Sequence, residues 1–425
     1  MPVNLNLAPA APVAGIELET VAAGLKADGA VDMVIARLAP SSVTAAVFTQ
    51  SIFAAAPVSI CKQQLADNNG AVRALLINSG NANAGTGQPG IDMAQGHCDA
   101  LAEALSVPAN SVLPFSTGVI GQLLPDSIMR AGISQGAGRM AAALTHAQAS
   151  TTDANTTATS DPVLAWQEAA RGIMTTDTQP KLTSQSIDID GQSVTITGMA
   201  KGAGMIQPNM ATMLSYIFTD AAIARDDLEA ALSQAVDVSF NAITVDSDTS
   251  TNDSCVLVAS GVGAAIDSTG VEWSAFMEAL TRVFSDLAQA IIRDAEGATK
   301  FITVNVIEGA SNADCKQVAY AIANSPLVKT AMFASDANVG RLLMAIGKSG
   351  VEGLDASRIT VMLGDVMAFE NAGIAEGYTE ERGSAVMARD EIDVTVSLGS
   401  GDASAAVYTS DLSHDYVSIN ADYRS

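Results

Sequence analysis

"IDIDGQSVTITGMAKGAGMIQPNMATMLSYIFT" occupies residues 187–219. Ile187 and Ile189 alternate with polar residues, Asp190-Gly191 supplies a tight turn, and Val194 and Ile196 alternate on the way back, which predicts a β-hairpin. Lys201, Gly202 and Gly204 then leave the end of its second strand, and "ATMLSYIFT" (211–219) begins another. The segment 198–214 holds no histidine, cysteine or carboxylate, so Lys201 is its only ionisable side chain. It is either a structural bend or the centre of a chemistry.

Outward from this stretch, helices and strands alternate irregularly. Helical spacing predicts helices over 97–105, 222–236 and 273–294. In the last of these Phe276, Leu280, Val283, Phe284, Leu287 and Ile291 share one face, and Gly297 is placed to stop it. Residues 301–307, 358–363 and 391–398 read as strands. The order lacks a regular βαβ rhythm, so the expected class is α/β of the α+β kind, a layered sandwich rather than a doubly wound Rossmann sheet. The polar, Ser/Thr-rich stretch 146–163 reads as a surface loop or insertion.

The chain has 425 residues, 48% hydrophobic but only 4% aromatic. Its core must therefore come from Ala, Val, Ile, Leu and Met. A formal net charge of −25 argues against nucleic acid or an anionic membrane as partner, and a small anionic substrate needs a local cation. No uninterrupted apolar run of about 18 residues suggests a membrane span. Cys61, Cys98, Cys255 and Cys315 are scattered, and the N-terminus has neither a basic signal-peptide start nor an Arg-rich transit pattern. A reduced, cytoplasmic protein is expected.

Much chemistry is disfavoured by residue type. Only His97, His146 and His414 exist, none with metal-ligand spacing, so no metal and no cofactor is expected; His97 and His146 read as structural or surface residues. "KGAG" lacks the spacing of a phosphate loop. "DSDTSTND" (246–253) starts like a calcium loop, but Thr251 and Leu257 stand where Gly and Glu are required. A turn whose Asp and Thr side chains bond their own backbone accounts for it better. "NSGNANAGTG" (78–87) reads as tight turns, with an anion nest as the alternative. "PFSTGVIG" (114–121) is either a bend or a site where Thr117 and Gly118 point a hydroxyl and an amide at a developing negative charge.

Five motifs in order, "FSTGVIG", "IMTTDTQPK", "KGAGMIQPNMATML", "DAEGATKF" and the ending "YVSINADYRS", resemble the glutamate N-acetyltransferase family, the ornithine acetyltransferase of arginine biosynthesis. The likeness runs from about "VAAGLKADGAVDM" to the last residue. It implies an acyltransferase with a layered sandwich like that of N-terminal nucleophile hydrolases. It also implies a precursor that cuts itself between Ala211 and Thr212, leaving an α chain (1–211) and a β chain (212–425) associated as α2β2. Thr212 would be the nucleophile, and Thr117 with Gly118 the oxyanion hole. Thr175, Lys201, Thr212, Glu296, Asn420 and Ser425 would hold substrate. An acetyl group would pass from N²-acetylornithine to Thr212 and on to glutamate. The resemblance allows acetyl-CoA as a second donor, although the chain carries no nucleotide-binding signature.

Residue chemistry is compatible with that implication. A threonine hydroxyl needs a base, and the candidates are Lys201 and, after cleavage, the α-amine of Thr212. At ordinary pKa values of about 10.4 and about 7.8, roughly one lysine in a thousand but roughly a third of the amines are free base at a pH of about 7.5. Lys201 also suits the substrate's α-carboxylate, and Glu296 suits the ornithine ammonium. The chain departs from the family pattern at the long 146–163 stretch and at Gln207, Val339, His414 and Ser425; the last three bear on substrate preference. Two rival functions are a self-processing aminopeptidase or amidase, in which water is the acceptor, and a non-catalytic anion-binding protein that stays uncut.

Overall fold

A computed structural model describes residues 2–149 (144–149 by their backbone), 161–207 and 213–421. Thr212, Ala211, Ser425 and most of the 146–163 stretch therefore lie outside the described residues. At both ends of that stretch the described residues are helical where a loop was expected. A helix runs through Ala149, and the next starts at Pro162 with the Asp161 carboxylate accepting the Val163 N–H.

Three mixed sheets carry the chain. The first has the order β1 (Ile16–Val21), β2 (Met33–Leu38), β4 (Ala74–Asn81), β5 (Val112–Val119), with only β4 and β5 parallel. The second has the order β3 (Val43–Phe48), β10 (Ser254–Ala259), β8 (Leu214–Thr219), β7 (Gln192–Lys201), β6 (Lys181–Ile189). The third runs β14 (Gly373–Ile374), β13 (Val366–Glu370), β12 (Thr360–Leu363), β15 (Glu391–Ser397), β11 (Phe301–Gly309), β16 (Ala403–Ser410), β9 (Ile243–Thr244).

Period-two alternation assigns the faces of the first two sheets. Val34 and Ala36 of β2, with Tyr216 and Phe218 of β8, point into a shared interior. Helices α1 (Ala56–Asp67) and α4 (Pro162–Gly172) also contribute to that interior. Phe115 meets Tyr216 there edge-on at 5.2 Å between ring centroids, a geometry worth about 0.5–1.5 kcal/mol beyond the buried area. The opposite residues, Met33 and Ile35, pack with α2 (Gly87–Leu105) and α3 (Asp126–Ala149). Ile217 packs outward with α5 (Arg225–Asp237) and α6 (Trp273–Arg293). The third sheet has its own core with α7 (Asn312–Ala323), α8 (Pro326–Phe333), α9 (Val339–Gly347) and α10 (Glu380–Met387). It joins the rest through β9 and α6, and α11 (His414–Ala421) follows β16.

This is the layered α/β arrangement expected, not a Rossmann sheet. The predicted hairpin is β6–β7, longer than the sequence pattern alone, with Asp190 in the left-handed region (φ 52°) and Gly191 at φ 79°. The helix foreseen at 97–105 begins ten residues earlier, at Gly87. No helix among the described residues is long and apolar enough to cross a membrane.

The 211/212 boundary is not a division in space. The second sheet draws β3, β6 and β7 from before it and β8 and β10 from after it. Lys201 of β7 pairs with Leu214 of β8, and Ser254 of β10 pairs with Leu214 from the other side.

Candidate active site

Two stretches read from sequence as turns or bends are mainly strand. "NSGN" ends β4 and "FSTGV" ends β5, side by side and parallel. The strands approach so closely that a Cβ on Gly118 (φ 132°) would sit 2.3 Å from the carbonyl carbon of Gly80. Only glycine permits that approach. Asn side chains fix the strand ends. Asn78 accepts from the Ser116 hydroxyl (2.6 Å) and donates to the Asn81 carbonyl (2.9 Å). Asn252 donates to the carbonyls of Ala82 (2.6 Å) and Ser116 (2.8 Å).

Above these ends lies a cavity of about 250 Å³. Thr117, Gly118, Thr175, Lys201, Glu296 and Asn420 all line it, together with Asn252 and Asp253. Six of the residues named from sequence thus converge from β5, the loop after α4, β7, the turn after α6, and α11. Ala211, Thr212 and Ser425 are outside the described residues, but Met213, next in chain to Thr212, lines the cavity.

Lys201 donates to the Thr117 hydroxyl at 3.3 Å. Burial, and to a lesser extent the nearby Lys181, pull its pKa below the ordinary lysine value against the opposing pull of Asp177, Asp253 and Glu296. The free-base share taken from an ordinary lysine is therefore an underestimate. A cation held among carboxylates in a confined site still suits a substrate carboxylate.

The glycines of "KGAG" have separate local reasons. The Gly202 N–H donates to the buried Asp177 carboxylate (2.7 Å), and Gly202 takes φ 148°. A Cβ on Gly204 would meet the Glu296 carboxylate at 2.4 Å, so a glycine there leaves room for the acid. Glu296, only 8% exposed, donates its N–H to the Ala203 carbonyl (2.9 Å) and accepts from Asn420 Nδ2 (2.7 Å). α11 thus brings Asn420 to the site.

Asp177, which sequence reasoning missed although it sits inside "TTDT", organises this corner. It accepts from the Thr175 N–H (3.0 Å), the Gly202 N–H and Lys181 Nζ (2.7 Å). Burial alone would raise its pKa, but the Lys181 and Lys201 ammoniums and the Gly202 N–H hold it well below the usual carboxylate range. Lys181, with no exposure, also pairs with Asp294 at 2.7 Å.

"DSDTSTND" is only partly the self-bonded turn expected. Asp246 does accept from Asp248 N–H (3.3 Å), but it also reaches across to the N–H groups of Met205 (2.6 Å) and Ile206 (2.9 Å) and to Tyr416. It thereby pins the segment leading to residue 208. Neither Val339, buried at the start of α9, nor His414, edge-on to Phe333, lines the cavity. Their departures from the family pattern therefore do not act by contact with a ligand there. Gln207 accepts from Asn324 (3.0 Å). His97 is buried against Asp126 (3.0 Å), a structural role as expected.

All four cysteines are buried and unpaired. No group of three His, Cys, Asp or Glu among the described residues could hold a metal. A second, more open cavity of about 360 Å³ around Arg293, Thr299 and Asp415 contains none of the candidate site residues named from sequence.

The sequence profile of the ArgJ family matches residues 17–425. A relative from Pseudomonas syringae pv. tomato, "Arginine biosynthesis bifunctional protein ArgJ", is 47% identical over 429 residues and 100% of both chains. Two solved structures are also similar. The arginine biosynthesis bifunctional protein of Bacillus halodurans is 39% identical over 48% of this chain and 97% of that one, with a TM-score of 0.47. The ornithine acetyltransferase of Mycobacterium tuberculosis, complexed with ornithine, is 33% identical over 48% of this chain and 96% of that one, with a TM-score of 0.37. With its profile match and 47% identity over the full length, the chain belongs to the ArgJ family.

Proposed function

We propose that this protein is an arginine-biosynthetic acetyltransferase that moves an acetyl group from the α-amine of N²-acetylornithine to that of glutamate, through an acetyl ester on Thr212. The observation that carries the reading is convergence. An oxyanion pair (Thr117, Gly118), a cation for an α-carboxylate (Lys201) and a carboxylate for a side-chain ammonium (Glu296) all face one cavity. Thr175 and Asn420 line the same cavity and complete the substrate-holding set, with Ser425 from the family pattern. The acceptor amine distinguishes transfer from hydrolysis, and membership of the ArgJ family favours transfer.

In this reading the chain first severs its own 211–212 bond, and the new α-amine takes the Thr212 proton. The fold is compatible with two associated fragments. β8 is bonded to β7 on one side and β10 on the other, so a cut in the connection leaves both ladders intact. An α2β2 assembly and work in the cytoplasm complete the proposal.

The test supplies N²-acetylornithine and glutamate together. Formation of N-acetylglutamate by protein that runs as two fragments on a denaturing gel is expected; ornithine and free acetate alone would favour the amidase reading. Acetyl-CoA and glutamate without acetylornithine test the second donor. Thr117→Ala should lower kcat by about 10²–10³-fold, the value of one oxyanion donor, with KM little changed. Unchanged turnover would remove Thr117 from the site.

A further inference from the structure

Among the described residues, Asp253 is the ionisable side chain of the cavity wall that neither the sequence motifs nor the proposed chemistry uses. It is 2% exposed, lines the cavity, and its Oδ2 has no hydrogen-bond partner among the described residues. Its place is tightly fixed. The Asp253 carbonyl accepts from Thr49 N–H (2.9 Å), and the N–H of Ser254 donates to Met213 (2.9 Å). The preceding Asn252 is tied to the carbonyls of Ala82 and Ser116. Such a group costs about 1–3 kcal/mol if left unsatisfied, and an orphaned polar atom in an active-site wall calls for a functional account.

The proposed reaction creates a need that this carboxyl fits. Free α-amines travel in water as ammonium ions, yet only the neutral amine leaves the tetrahedral intermediate or attacks the ester. One proton per half-reaction must be given to the departing amine and taken from the arriving one. We propose that Asp253 stores this proton between the two half-reactions, acting as a further catalytic residue of the acetyl transfer. This role rests on the acetyl-transfer reading above. When the acetyl C–N bond breaks, the departing neutral amine takes the carboxyl proton and leaves as ammonium, and Asp253 is left as carboxylate. The arriving ammonium returns a proton to that carboxylate and attacks as the neutral amine. The carboxyl is restored after each full cycle, and no other reactant is consumed.

The electrostatic setting agrees with a carboxyl that starts protonated. Burial pushes Asp253 well above the usual carboxylate range, and bonds from Ser250 and the charge of Lys201 oppose this only in part. The charged groups that bear on Asp253 are Lys201 from β7 and, through it, Asp177, Lys181 and Glu296.

Asp253→Asn preserves the shape but can neither give nor take a proton. With glutamate as acceptor its kcat should fall by about 10²-fold or more, while KM for N²-acetylornithine changes little. Hydroxylamine arrives already neutral near pH 7, so the second half-reaction, followed from preformed acetyl-enzyme, should recover a large part of the loss with it. Turnover with glutamate at the unaltered level, or an equal loss with both acceptors, would overturn the role and leave Asp253 as a packing residue. If the variant does not fold, Ser250→Ala serves, since it removes a bond that favours the charged carboxyl. The alkaline limb of its kcat profile, where the stored proton is lost, should move to higher pH, and an unmoved limb would overturn the proposal. Absence of N-acetylglutamate from the unaltered protein would be a different result, sinking the acetyl-transfer reading itself.

Discussion

Thr212→Ala should accumulate as a single chain of about 43 kDa and form no N-acetylglutamate, with turnover lower by on the order of 10⁴-fold or more. The substitution removes both the hydroxyl that would open the 211–212 bond and the alcohol that would carry the acetyl group. Thr212→Ser separates these from packing effects: it keeps the hydroxyl, so it should still cleave and turn over. Denaturing electrophoresis and a product assay read both variants. An Ala variant that is cut and active would end the nucleophile assignment. An Ala variant that is uncut yet active would end it too, since no hydroxyl is left at 212 to carry the acetyl group.

The sequence carried the site further than the fold around it. Residues 187–219 announced the hairpin because a two-residue turn and strict alternation are local properties. The face assignment of α6 was legible for the same reason: Phe276, Leu280, Val283 and Phe284 repeat with the helical period and all enter the core. Sheet order was not legible. Nothing in β3 shows that it pairs with β10, some two hundred residues later, because that choice is made by burial on both faces. "PFSTGVIG" stayed open between a bend and a site because its Gly and Thr are turn formers in isolation, whereas in the fold Gly118 lets two strand ends touch. Asp177 and Asp253 were missed for a related reason. Each stands in a polar run that looks like solvated turn chemistry, and only tertiary closure buries it. The one available signal was that Asp253 abuts "SCVLVA", a wholly apolar strand after its first residue.

The second large effect concerns stability and reaches the site through one amide. Lys181→Met should destabilise the protein by about 3–5 kcal/mol at neutral pH, the cost of removing one partner from a buried ionic cluster. Methionine fills a similar volume, so little of the loss can come from a void. What remains is two carboxylates, Asp177 and Asp294, each deprived of a 2.7 Å contact to the same ammonium. The pH dependence follows from Asp177. Its depressed pKa in the native protein contributes stability above the unfolded value of about 3.9, which is lost as pH falls through the lower folded value. Without the Lys181 charge, the strongest of the influences that lower it, that depression relaxes. The gap between wild type and variant should therefore be widest near pH 7 and narrow below about pH 4, as read from urea midpoints at each pH. A constant gap would assign the loss to packing. Because Asp177 also receives the Gly202 N–H beside Lys201, turnover of the folded variant should fall as well. Asp177→Asn in the Lys181→Met background should recover part of the stability, by removing one of the two stranded charges. It should not recover turnover, since a neutral side chain at 177 no longer holds Lys201 through charge.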